Sequence, residues 1–194
     1  MIIGDVELND ILVGDVFLCS GQSNMELPVR RVTDMFAEEI SGYENNFIRH
    51  YAVPQTFDFN KERNDTPSAS WKPCTQENVM EFSALAYFFA KELHRKTKVP
   101  VGLVNASWGG TPVEAWMSEE LLRKEFAGEI NMKHLDNDVM PEKNAFKMAC
   151  TLYNGMMHPV APYTAKGFIW YQGCSNRHNP EQYVRLQPAF VNML

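Results

Sequence analysis

The chain has 194 residues, of which 45% are hydrophobic and 12% aromatic, with a formal net charge of −6. That length suits one ordinary domain, and the composition is that of a packed globular protein rather than a disordered segment. The acidic balance leaves no basic stripe to meet phosphates, and no apolar run is long enough to cross a bilayer, so neither nucleic acid nor membrane is expected as a partner.

Met1 to Leu12 carries a partly alternating apolar pattern and reads as a lead-in strand or the tail of a preceding unit; the domain itself is read as 13–194. No leader pattern is read before the first strand, and the residues leave the compartment open. Asp15 to Cys19 is the first core strand. It runs into Ser20-Gly21-Gln22-Ser23-Asn24-Met25, after which an uncharged stretch opens a helix expected over about Asn24 to Ile40, interrupted near Pro28. A strand–turn–helix of this kind lifts Ser23 to the carboxyl edge of a sheet, where its hydroxyl can serve as a nucleophile and its own amide can face a developing oxyanion. Ser20, Ser23 and Asn24 equally suit turn and cap positions.

Phe47 to Val53 is expected as a second strand. Gln55 to Gln76, polar and bearing prolines, reads as a long surface excursion anchored by Trp71. Phe82, Leu85, Ala86, Phe89, Ala90 and Leu93 recur at helical spacing and predict an amphipathic helix that ends at Lys98-Val99-Pro100. Val101 to Ser107 follows as an apolar strand, Trp108-Gly109-Gly110-Thr111-Pro112 as its turn, and Val113 to Phe126 as the next helix. A polar segment, Gly128 to Lys143, leads to a helix from about Ala145 to Met157. Gly167 to Tyr171 is the fourth strand, Gln172-Gly173-Cys174-Ser175-Asn176 its turn, and Glu181 to Leu194 a last helix carrying Pro188.

Strand and helix alternate, which predicts a parallel sheet with helices on both faces and a ligand site outside the carboxyl ends of the strands. Three of those ends carry small or amide residues, so three polar, glycine-bearing turns converge on one edge. This raises the functional reading of Ser23 above the capping one. The four cysteines show no metal-ligand spacing, and Cys19 and Cys150 read as free buried thiols.

Gly21-Gln22-Ser23-Asn24-Met25, Trp108-Gly109-Gly110-Thr111-Pro112-Val113-Glu114-Ala115-Trp116 and Trp170-Tyr171-Gln172-Gly173-Cys174-Ser175-Asn176, together with Leu152-Tyr153-Asn154-Gly155-Met156-Met157, resemble the sialate O-acetylesterases of the SGNH hydrolase superfamily. The resemblance is ordered and runs from about Leu12 to the end. It implies a flavodoxin-like three-layer α/β/α sandwich and hydrolysis of acetyl esters on sugars, typically sialic acids, with no metal or organic cofactor and with an acetylated sugar as the partner. Carried over by position, it implies Ser23 as the nucleophile and the Ser23 N–H as one oxyanion donor. Gly109 or Gly110 gives a second backbone donor, with Gly109 favoured, and Gln172 or Asn176 gives a side-chain donor. Gln22, Asn24, Trp108 and His178 are candidate pocket residues. Export to the periplasm or the outside is the family's habit. The three tryptophans Trp108, Trp116 and Trp170 read as core or pocket-wall residues.

Two departures stand out. Cys174 occupies a place where the third motif commonly has an acid. The general base of the resembled family is a histidine in an Asp-x-x-His motif, and none of the five histidines, His50, His94, His134, His158 and His178, has an aspartate three residues before it. The chain therefore reads as a partial catalytic domain, lacking the last strand and helix, with the base outside it. His178, two residues past Asn176, is expected in a loop near the site. A fourth strand left at a sheet edge predicts self-association. Two other readings of the same residues are an acetylesterase acting on xylan or another polysaccharide, and a non-catalytic carbohydrate-binding remnant.

Overall fold

The computed structural model describes residues 1–137 and 143–194. Residues 138–142, part of the expected polar segment, lie outside that description. At the amino terminus, where the alternation predicts one lead-in strand, β1 (Ile2–Ile3) and β2 (Val6–Glu7) pair antiparallel as a small separate ladder.

Among the described residues, the main sheet has five strands: β3 (Asp15–Gly21), β4 (Asn45–Ala52), β5 (Lys72–Cys74), β6 (Val101–Ser107) and β7 (Gly167–Tyr171). Their order is β5-β4-β6-β3-β7. β3 lies parallel to both β6 and β7, and β4 lies parallel to β6. The four strands expected from the sequence are thus all present. β5, antiparallel on β4 at the edge, is the exception to a purely parallel sheet. It comes from the segment read as a surface excursion. Three residues with Pro73 at the centre leave no β-pattern to see, and a proline lacking its N–H is tolerated at a sheet edge.

Among the described residues, seven α-helical segments accompany the strands: α1 (Ser23–Glu26), α2 (Ala37–Ile40), α3 (Gln76–Val79), α4 (Ala84–Thr97), α5 (Glu119–Glu125), α6 (Lys133–Asn137) and α7 (Pro180–Met193). Adjacent residues of one strand feed opposite cores, as the two-residue period of a strand demands. Leu103 joins Met25, Ile48, Ala86 and Ala90 on the side of α1 and α4, whereas Val104 joins Trp116, Leu186 and Phe190 on the side of α7. The result is a three-layer α/β/α sandwich. Among the described residues, no helix is long and apolar enough to cross a membrane.

α4 matches its sequence pattern closely. Ser83 Oγ accepts from Ala86 N at its start, and Lys98 closes it in the left-handed conformation before Pro100. Three other expected helices are broken. The stretch after Ser23 divides into α1, a 3₁₀ turn at Val29–Arg31 and α2, because Pro28 cannot continue the ladder. Val113–Trp116 is a 3₁₀ turn, and Ser118 then caps α5 by accepting from Leu121 N. The Ala145–Met157 region is a 3₁₀ turn at Ala145–Lys147 followed by a π-helical turn at Tyr153–Met157. This last segment clamps the 56–63 loop: Asn154 Nδ2 donates to Asp58 O at 3.0 Å, and Arg63 N donates to Asn154 O at 2.9 Å. A Cβ at Gly155 would lie 2.2 Å from Thr56 O, so this place in the motif is open only to glycine.

Candidate active site

β3 ends at Gly21, in register with Ser107 on β6 and Tyr171 on β7, so the three polar turns start from one level of the sheet. Backbone bonds tie them together: Gln22 N donates to Tyr171 O at 3.0 Å and Trp108 N to Gly21 O at 3.1 Å. Gly21 has φ +140°, and a Cβ there would meet Tyr171 O at 2.2 Å. Only glycine lets β7 approach this closely while the chain turns into α1.

Ser23 is the first residue of α1 and is exposed, as is Asn24. Neither the Ser23 hydroxyl nor its N–H makes a hydrogen bond among the described residues. A Cβ on Gly109 would stand 3.6 Å from Ser23 Cβ, so the second turn lies directly against the serine. The Gly109 N–H is already engaged, donating to Glu26 Oε2 at 2.6 Å, while Glu26 Oε1 accepts from Gln55 Nε2 at 2.7 Å. The next N–H, of Gly110, has no hydrogen bond among the described residues. A carboxylate therefore holds the glycine donor that the sequence favours. Lys147 stands beside that turn, its Nζ 3.5 Å from where a Gly110 Cβ would be.

The side chains expected at the pocket or as donors divide in their placement. Gln22 is 6% exposed, and its Oε1 accepts from Gly173 N and Ser175 N, both at 3.2 Å. It is buried glue between the first and third turns rather than a pocket wall. Gln172 Nε2 donates to Asn176 Oδ1 at 2.7 Å and to Thr111 O at 3.1 Å. Asn176 Oδ1 also accepts from Val113 N at 2.9 Å, and its Nδ2 donates to Glu114 Oε2 at 2.8 Å. Both amide nitrogens proposed as oxyanion donors are thus occupied in lacing the third turn to the second. Gln172 Oε1 is buried without a partner among the described residues.

Trp108 stacks on Phe146 with centroids 4.6 Å apart and an interplanar angle of 11°, forming an aromatic wall after β6. Trp116 is fully buried, its Nε1 donating to Thr111 Oγ1 at 3.0 Å. His178 is exposed, beside Arg177, and does not line the space next to Ser23. His94 and His158 donate from Nδ1 to the Val99 and Arg63 carbonyls, and neither lines the cavity at the serine. Among the described residues, no group of His, Cys, Asp or Glu could hold a metal ion.

A cavity of about 460 Å³ opens at Ser23, bounded by Glu26, Arg30, Arg31, His50, Gln55, Asn105 and Ser107 among others. Most of these residues carry no motif in the sequence. Their convergence depends on register, since β4 sets His50 opposite Leu103 and Ala52 opposite Asn105. His50 is 3% exposed and stacked on Phe82 at 4.6 Å, and its Nε2 has no partner among the described residues. Burial lowers its pKa to about 4, so the imidazole is neutral at ordinary pH.

Residues 13–194 match the carbohydrate esterase family described as sialic acid-specific acetylesterase. The chain belongs to this family. Other members include the sialate O-acetylesterases of Pongo abelii and Homo sapiens, each 32% identical over 194 residues, covering 96% of this chain and 36% of theirs. That of Mus musculus is 30% identical over 217 residues, covering 96% of this chain and 40% of its own. Among solved structures, a carbohydrate acetylesterase from Xanthomonas citri superposes with a TM-score of 0.80 at 34% identity, over 95% of this chain and 38% of that one. The chain thus spans well under half the length of these family relatives.

Proposed function

We propose that this chain carries the nucleophile and the oxyanion donors of a serine esterase that removes O-acetyl groups from sialic acids. The observation that carries the reading is the exposed Ser23 at the carboxyl edge of β3, with the Gly109-Gly110 turn packed directly against it. Ser23 Oγ attacks the acetyl carbonyl. The tetrahedral oxyanion is met by the N–H of Ser23 and that of Gly110, both unengaged among the described residues, and by Gly109 when Glu26 gives way. Gln172 and Asn176 take a holding role, keeping the second and third turns in place. Family membership and the names of its relatives favour a sialic acid over xylan or another polysaccharide, and an enzyme over a binding remnant.

Acyl transfer of this kind requires a general base, and no histidine is hydrogen-bonded to Ser23 among the described residues. We assign that role to a histidine outside these 194 residues. The test is covalent labelling by a fluorophosphonate together with release of 4-nitrophenol from 4-nitrophenyl acetate, comparing the chain with Ser23→Ala. Slow labelling that maps to Ser23 and disappears in the variant is expected, with little turnover by the chain alone, because both reactions use the same activated hydroxyl and a hydrolase without its base keeps only about 10³–10⁴ over water. Labelling that survives the substitution would remove Ser23 from the mechanism. Rapid Ser23-dependent turnover would instead place the base within these residues.

A further inference from the structure

We propose that Arg31 reads the carboxylate of the sugar acid, making the cavity beside Ser23 a subsite that selects anionic over neutral acetylated sugars. This inference rests on the esterase reading above and names the group that recognises its substrate. Four observations converge on it. The cavity begins at the nucleophile itself, so whatever fills it is held next to the reacting acetyl group. Two adjacent arginines line it, and they differ in their pairing. Arg30 forms an ion pair with Glu81 on the same wall, whereas the exposed guanidinium of Arg31 has no ion pair or hydrogen bond among the described residues. In a chain with a formal net charge of −6, a cation left unpaired beside the nucleophile is not explained by the general surface balance.

The rest of the lining fits a polyhydroxylated acid. His50 lines the cavity, and its buried Nε2, without a partner among the described residues, can donate to or accept from a sugar hydroxyl that reaches it. Asn105 accepts from Ser107 Oγ through Oδ1 at 3.0 Å, which leaves its amide nitrogen unengaged among the described residues. A planar guanidinium matches a carboxylate in a bidentate fork, and charge-assisted bonds of this type are about twice as strong as neutral ones. Fixing the carboxylate at Arg31 and the hydroxyls at His50 and Asn105 orients the sugar, so that its acetylated arm is presented to Ser23.

Binding can be measured without turnover. The probes are N-acetylneuraminic acid and its methyl ester, titrated by calorimetry or by ligand-observed NMR into the chain, Arg31→Ala, Arg31→Lys and Lys147→Ala. The wild-type chain is expected to bind the acid about tenfold or more tighter than the ester. Arg31→Ala should reduce that ratio to near one, and Arg31→Lys should keep part of it. The proposal fails if the wild-type chain does not distinguish acid from ester. It fails equally if the ratio persists in Arg31→Ala, and loss of the ratio only in Lys147→Ala would move the carboxylate to Lys147, beside the Gly110 turn. Failure of the esterase reading appears separately, as absence of Ser23-specific fluorophosphonate labelling.

Discussion

Glu26 Oε2 lies 2.6 Å from the backbone nitrogen of Gly109, 83 residues further along the chain. This bond joins the end of α1 to the turn after β6, and Gln55 closes the link by donating to the other carboxylate oxygen and, at 3.2 Å, to Ser107 O. The carboxylate organises the turn beside Ser23. It also occupies the Gly109 N–H, which is proposed above as an oxyanion donor.

Removing it should loosen the site. Glu26→Ala leaves the Gly109 N–H and the Gln55 amide without their acceptor, at a cost of about 2 kcal/mol. For a chain of this size that is a fall of roughly 4–8 °C in the unfolding midpoint, measurable by a thermal scan. Glu26→Gln, which keeps an acceptor oxygen, should lose less than half as much. Equal midpoints for wild type and Glu26→Ala would show that the contact does not hold the turn.

Gln22 is expected to behave as a structural residue despite its place in the first motif. Its Oε1 is the shared acceptor of Gly173 N and Ser175 N, so Gln22→Ala strands two N–H groups. A loss of about 2–4 kcal/mol follows if both stay dry. Chemical denaturation would register this as a lower midpoint, and a change in substrate affinity without any loss of stability would contradict the assignment.

The buried imidazole of His50 has a pH signature. Its folded pKa, lowered to about 4 by burial, lies below the ordinary value of 6.5, so the unfolded chain binds the proton more readily. The stability it contributes is fully present above about pH 6.5 and is lost as the pH falls toward 4. About 2 kcal/mol should disappear between pH 7 and pH 4.5 from this residue alone. Urea melts at the two pH values, compared with His50→Leu, isolate the effect: the variant should show a smaller pH dependence by about that amount. Parallel pH profiles would mean that His50 is not the neutral, desolvated group described above.

The cysteines should separate sharply in reactivity. Burial pushes the Cys19 and Cys150 thiols up to about 12 and Cys74 to about 11, whereas Cys174 is exposed. Since the thiolate is the reactive form, a disulfide reagent such as DTNB should modify one thiol rapidly in the native chain and all four only after denaturation. Fast reaction of Cys174→Ser would show that a second thiol is accessible.

The amino-acid sequence by itself determined the four parallel strands, the long amphipathic helix that ends at Lys98-Val99-Pro100, and the three polar turns that converge on one edge of the sheet. These features are encoded locally, in apolar runs, helical periodicity and glycine-bearing strand ends, and the ordered motifs carried the family with them. The edge strand Lys72–Cys74 left no such trace, since a three-residue strand around a proline is created by its neighbour β4 and not by its own pattern. The break after Ser23 was legible at Pro28, but the broken helices after Pro112 and Asn144 were not, because packing against the sheet and the 56–63 loop overrode propensity. Only the tertiary structure decided which motif residues hold the site and which line it. It turned Gln22, Gln172 and Asn176 inward as bonding partners and brought Glu26, Arg31, His50 and Gln55 around the serine. Hydrogen-bond partners 60 to 150 residues away and the register of β4 on β6 made those choices, and neither is written in any local stretch of the chain.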